Sequence, residues 1–173
     1  MNTDRLWIKL IRRTEKVHFM ELVQAGKEDI EKIVGLWHSL AEEMAPYSEL
    51  NELNANSSEE VSREGFRKHL RSADYTTYLI KQDEKIAGYV KLKQGRHPSR
   101  NKSEYTKIID LYIKERFRGQ GIGTEVIEKV EQIASDRGSE YIKVSSEWEN
   151  KGARRFYKKN GFAEKKVEFV QEL

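Results

Sequence analysis

Along the chain, apolar positions switch between a period of two and a period near 3.6, and each switch marks a new predicted element. Phe19–Ala25 reads as a short strand closed by Gly26. Ile30, Ile33, Val34, Trp37, Leu40, Ala41 and Met44 then recur at helical spacing, with Pro46 shortly after. Residues 47–57 are polar and turn-rich. Ser57 with Glu60 three positions on has the form of a capping box, and Val61, Phe66 and Leu70 continue a second helix. Tyr75–Gln82 and Ile86–Lys93 are strand-like runs joined at Asp83-Glu84-Lys85, a predicted hairpin. Gln94–Ser103 carries Gly95, Pro98 and Asn101 and reads as a loop.

The second half follows the same logic. Tyr105–Lys114 is rich in β-branched and aromatic residues. Strict alternation places Ile109, Leu111 and Ile113 on one face and Ile108, Asp110 and Tyr112 on the other. Ile122, Val126, Ile127, Val130, Ile133 and Ala134 mark an amphipathic helix that stops before Gly138. Tyr141–Ser145 is a short strand, Lys151–Lys159 a helix closed by Gly161, and Phe162–Val170 a last strand. No repeat or linker divides this order, so residues 19–173 form a single α/β domain. Residues 1–18 alternate basic and apolar side chains but lack both a continuous apolar core and a small-residue cleavage site. They read as an amino-terminal extension with no assigned function.

Composition narrows the functional classes. The 173 residues contain no cysteine, which excludes disulfide scaffolds, zinc–cysteine sites and a cysteine nucleophile. The four histidines are scattered without ligand spacing, so no metal is expected. There is no run of about 18 apolar residues, hence no predicted membrane partner, and a cytoplasmic location is expected. Thirty-two Lys and Arg against 29 Asp and Glu leave a net charge of +3 that is mixed along the chain. A nucleic-acid binder gathers its charge into a stripe. The rival surface for such a partner is the Arg96, Arg100, Lys102 loop with the 151–159 helix, and that loop contains one His and no aromatic platform; no nucleic-acid partner is predicted.

The informative segment is Lys114–Thr124, KERFRGQGIGT, between a strand and a helix. Gly119, Gly121 and Gly123 allow a sharp turn and a close approach of backbone to ligand. The turn feeds a helix N-terminus, whose free N–H groups and partial positive charge favour an anion, with Arg116 and Arg118 beside it. Together these predict a phosphate or pyrophosphate site. A P-loop would need Gly-Lys-Ser/Thr, which the chain lacks, and the dinucleotide fingerprint fails because Thr124 stands where its third glycine belongs.

Arg118-Gly119-Gln120-Gly121-Ile122-Gly123 resembles the Arg/Gln-x-x-Gly-x-Gly/Ala signature of the GNAT N-acetyltransferase superfamily. Asn150-Lys-Gly-Ala153-Arg-Arg-Phe156-Tyr157-Lys-Lys-Asn-Gly161-Phe162 is similar to that family's second segment, and the two stand in the right order. One departure is Glu115, where many members carry proline. The resemblance implies an α/β (α+β) fold with a mixed, mostly antiparallel sheet flanked by helices and splayed central strands. It also implies acetyl-CoA as co-substrate, with its pyrophosphate on the backbone of residues 118–123 (Arg118, Gly119, Gln120, Gly121, Ile122, Gly123) and the adjoining Thr124. Its pantetheine arm would pair with the strand at Leu111, Tyr112 and Ile113, and Asn150 would contact the same arm.

Acetyl transfer to an amine needs a neutral nitrogen, a stabilised oxyanion and a proton for the departing thiolate. By resemblance Tyr157 is the general acid. Asp110 is the first candidate for the base, with Glu147 second. Glu42, Glu43, Glu49, Glu52, Glu59, Glu60 and Glu64 face only Arg63 locally, which suggests an acidic acceptor wall and a small cationic or peptide amine as substrate. A homodimer is compatible with this family. The alternative from another class is a catalytically silent acyl-CoA-binding regulatory module.

Overall fold

The computed structural model describes residues 19–171 and 173; the predicted extension over 1–18 lies outside them. In chain order the elements are β1 (Met20–Gln24), α1 (Ile30–Met44), α2 (Glu64–Arg71), β2 (Tyr75–Gln82), β3 (Lys85–Arg96), β4 (Glu104–Ile113), α3 (Ile122–Asp136), β5 (Tyr141–Val144) and α4 (Lys151–Lys159). The five strands form one sheet in sequential order. The first three pairings are antiparallel and the β4–β5 pairing is parallel, so the sheet is mixed and mostly antiparallel. A parallel neighbour needs a crossover, and α3 supplies it.

The sheet is covered on both faces. Val90, Leu92 and Ile108 pack with Ile122, Val126, Ile127 and Val130 of α3, joined by the partly buried Leu111, Ile113, Phe156, Tyr157 and Phe162. Leu79, Tyr89 and Tyr112 pack with Ile33 and Leu36 of α1, and Phe66 and Leu70 of α2 lie against them. Trp37 and Phe66 meet edge to face at 5.6 Å, closing α1 onto α2. Among the described residues no helix is long and apolar enough to cross a membrane.

Four sequence expectations need correction. The second helix starts at Glu64, not near Ser57; Glu60 instead accepts a hydrogen bond from the Asn56 N–H, so the apparent capping box builds a turn. β3 runs on to Arg96, because residues 92–96 keep pairing with 104–108 of β4, and the predicted loop shortens to 97–103. Residues 162–170 form no strand. Glu164 is drawn back to α4 by Arg154 and Lys158, and Phe169 is 92% exposed; the charges between the apolar residues leave too little to bury.

The fourth correction bears on function. Lys91 faces Asp110 but Leu92 faces Ile108, so Ile109 is an extra residue in β4, a β-bulge. The bulge breaks the alternation. Ile108 shares a core cluster with Leu111 and Ile113, while Tyr112 packs on the α1–α2 face.

Candidate active site

The bulge sits where two strands part. β5 pairs with β4 only from Tyr105 to Ile108, and β4 continues for five more residues without β5 beside it. On the side away from β3, residues 109–113 therefore have no strand beside them. Leu111 and Ile113 turn their side chains into the α3 cluster, and Tyr112 turns toward α1, where its hydroxyl approaches Glu43 at 3.4 Å.

At the end of β4 the chain turns through residues 114–121 into α3. Gly119 and Gly121 have φ of +74° and +86°, the left-handed region that only glycine enters without strain. Gly123 answers to a different demand: a Cβ there would lie 2.9 Å from the Phe156 ring, so its hydrogen lets α4 approach α3. Ile122 is buried and anchors the turn. The first backbone bond of the helix runs from the Glu125 N–H to the Gly121 carbonyl, so the N–H groups of Gly121, Ile122, Gly123 and Thr124 precede any intrahelical acceptor. They border the anion site that the sequence predicts, together with the turn at Gly119 and Gln120. The Gln120 carboxamide folds back to donate to the Arg116 carbonyl.

Arg118 departs from its expected place. Its own N–H donates to the Glu115 carbonyl, and its guanidinium donates to the Ile113 carbonyl and, at 2.8 and 2.7 Å, to both oxygens of Glu43. Its side chain is a clamp that ties the end of β4 to α1. The same pair neutralises part of the expected acidic wall.

α4 begins across the cleft. Asn150 is its N-cap, accepting from the Ala153 N–H at 2.9 Å, and its Nδ2 reaches Met44 Sδ at 3.7 Å. The loop after α1 crosses the open edge, since Asn51 Nδ2 donates to the Met44 carbonyl and to Glu147 Oε1. Glu147, Asn150 and the α1 end are thereby gathered at one rim.

Tyr157 lies one turn and a half into α4, its ring edge-on to Phe156 and Phe162 at 5.2 and 5.5 Å. Burial, and then the charge of Asp110, push its phenol up to about 12. Asp110 is itself pushed up by burial, against the opposing pull of Lys91 and an interaction with Tyr89. The two predicted catalytic residues, from β4 and α4, thus lie close enough to sense each other. Lys91 and Tyr89 were not anticipated, and Glu43 was expected in the acidic wall but not as the partner of Arg118. The one sequence signal for Lys91 was a lysine inside the apolar run Tyr89-Val90-Lys91-Leu92. The described residues contain no cluster of His, Asp and Glu fit to hold a metal.

A central strand that parts from its neighbour, followed by a glycine turn into a helix, is the arrangement that the family resemblance implied. The acetyltransferase (GNAT) family model matches residues 37–162, and the chain belongs to that family. It is 35% identical over 103 residues to an uncharacterized N-acetyltransferase of Methanocaldococcus jannaschii, covering 54% of this chain and 46% of that protein. It is 42% identical over 53 residues to the thialysine N-epsilon-acetyltransferase of Bos taurus, covering 30% of this chain and 31% of that one. The matches thus span less than half of either relative. A predicted acetyltransferase of Clostridium acetobutylicum, solved with acetyl-CoA, shares the fold with a TM-score of 0.70 at 20% identity, covering 89% of this chain and 96% of that one.

Proposed function

We propose that the chain is an acetyl-CoA-dependent N-acetyltransferase that acetylates a primary amine by direct attack, in the cytoplasm. The observation that carries this is the parting of β4 and β5 at the Ile109 bulge, with the glycine turn at one end of the open edge and Tyr157 and Asp110 beside it. The pyrophosphate would sit on the N–H groups from Gly119 to Thr124, where the partial positive charge of α3 favours it. The pantetheine amides would pair with β4 beyond Ile108, on the side that β5 leaves open, as an added strand does. Asn150, at the same rim, would turn its Nδ2 toward the arm.

The chemistry then follows from the two titratable groups. Asp110 takes a proton from the incoming ammonium, directly or through one water. The neutral nitrogen attacks the thioester carbonyl and an N–C bond forms; the now cationic nitrogen gives its surplus proton to solvent, and the C–S bond breaks. Tyr157, with a phenol near 12, is in its acid form throughout the physiological range and hands its proton to the departing sulfur. Asp110 returns a proton to Tyr157 through solvent, which closes the cycle.

The acceptor is a small cationic amine or a peptide amine. Glu147 stands at the rim, where Asn51 donates to it, and Arg118 has taken up Glu43. The likeness to a thialysine acetyltransferase supports a short primary amine on a flexible stem. Calorimetric titration with acetyl-CoA, using NADH as control ligand, tests the cradle. Thiol release with thialysine, against an uncharged amine of the same length, tests the transfer. Saturable acetyl-CoA binding and turnover of the charged amine are expected; no acetyl-CoA binding refutes the proposal.

A further inference from the structure

Lys91 is a charged side chain in the middle of an apolar strand. Its neighbours Val90 and Leu92 are fully buried, and Lys91 itself is 8% exposed. It is the cross-strand partner of Asp110, one step from the β4 bulge. Its Nζ stands 3.9 Å from Asp110 Oδ2, with both side chains nearly enclosed, and 5.7 and 6.0 Å from the ring centres of Tyr75 and Phe66. Tyr89, two residues back on the same face, is fully buried. Its hydroxyl interacts with Asp110 without forming a hydrogen bond of good geometry to any described group. Asp110, Lys91 and Tyr89 line one small pocket under α1 and α2, with Thr77 and His69.

An apolar residue of the same length would pack between Phe66 and Tyr75 with no desolvation cost, so stability does not explain a lysine here. Its effect is electrostatic. Resting on the assignment of Asp110 as the base, we infer that Lys91 is a positioning residue for the transfer: it holds Asp110 as a carboxylate, with Tyr89 beside it, ready to accept a proton. Without the ammonium, burial would push the Asp110 carboxyl further up, against its service as a base.

The other groups facing Asp110 leave Lys91 as its counter-charge. Tyr89 and Tyr157 are held in their neutral forms by burial and by the Asp110 charge. His69, from α2, is pushed toward its neutral form by burial and by Lys91, Lys68 and Lys93. Lys91 is itself drawn down by burial and supported by Asp110, so the two maintain each other's ionised forms.

The test follows the Asp110 carboxyl by NMR in the full chain with ¹³C-carboxyl aspartate, its resonance identified by its loss in Asp110→Asn. In Lys91→Met the midpoint should rise by at least about one pH unit, the effect of removing an opposite charge at this range. In Lys91→Arg it should stay within about half a unit of wild type. If Lys91→Met does not fold, Lys91→Gln keeps a polar head and should give the same upward displacement. The acid limb of kcat/KM with thialysine should move with the carboxyl. An unmoved carboxyl in Lys91→Met or Lys91→Gln overturns the inference, as does a displaced carboxyl with an unmoved acid limb. Absence of any transfer by wild type, with the carboxyl still displaced, would refute the enzyme assignment and leave the Lys91–Asp110 coupling standing.

Discussion

Replacing Tyr157 by phenylalanine removes one oxygen and little else. The ring is held edge-on by Phe156 and Phe162, and phenylalanine fills the same space, so the melting temperature should hardly change. The hydroxyl is where chemistry and burial meet. Its pKa near 12 means that at pH 8 only about one phenol in ten thousand is ionised, a ratio fixed by four units of difference. A residue so placed can give a proton but is not a base at neutral pH. The departing thiolate is already a competent leaving group, so the loss should lie at the low end of the acid–base range. That is roughly 10²-fold in kcat, or about 2.7 kcal/mol of barrier. The assay is thiol release with thialysine at saturating acetyl-CoA, alongside calorimetry for acetyl-CoA affinity, which should be unchanged. Wild type should show no basic limb from Tyr157 below about pH 11. An unchanged kcat in Tyr157→Phe would refute the acid assignment and leave Tyr157 as packing.

Three other substitutions separate ligand binding from architecture. Gly121→Ala forces a methyl-bearing residue to φ +86°, costing about 1–2 kcal/mol, and should weaken acetyl-CoA by about tenfold in calorimetry as the cradle shifts. Gly123→Ala drives a methyl into the Phe156 ring, so a thermal melt should show a loss of about 1–3 kcal/mol. Asn150→Ala removes the α4 cap, for about 1 kcal/mol and a melting temperature lower by roughly 2–4 °C; Asn150→Ser, which keeps a capping oxygen, should recover most of it. Serine recovering stability but not acetyl-CoA affinity would show that the carboxamide also binds the arm.

Much of the fold was legible because it rests on local periodicity. The α1 and α3 patterns predicted Ile30–Met44 and an end before Gly138, and both helices lie there. The hairpin at Asp83-Glu84-Lys85 was also readable, although Asp83 and Glu84 enter positive φ without glycine. The strand predicted over Phe162–Val170 was not realised, because alternation records what a segment could bury and not whether a partner is present. Residues 57–63 misled for a similar reason, since the Ser57 and Glu60 pattern fits a turn as well as a helix start.

The sequence by itself determined the glycine turn and the pairing of two family segments, because each is a short-range pattern; Tyr157 entered as a candidate through the resemblance, and Asp110 as one of two carboxylates. Tertiary structure alone decided where charge resides. Arg118 looked free to meet a phosphate, yet Glu43, 75 positions away, holds it at 2.7 Å. Lys91 looked like an interruption in a strand, yet the register of β3 on β4 makes it the counter-charge of Asp110. The Ile109 bulge is the clearest case. One extra residue reverses the facing of everything before it, and only the pairing of two strands can count that residue.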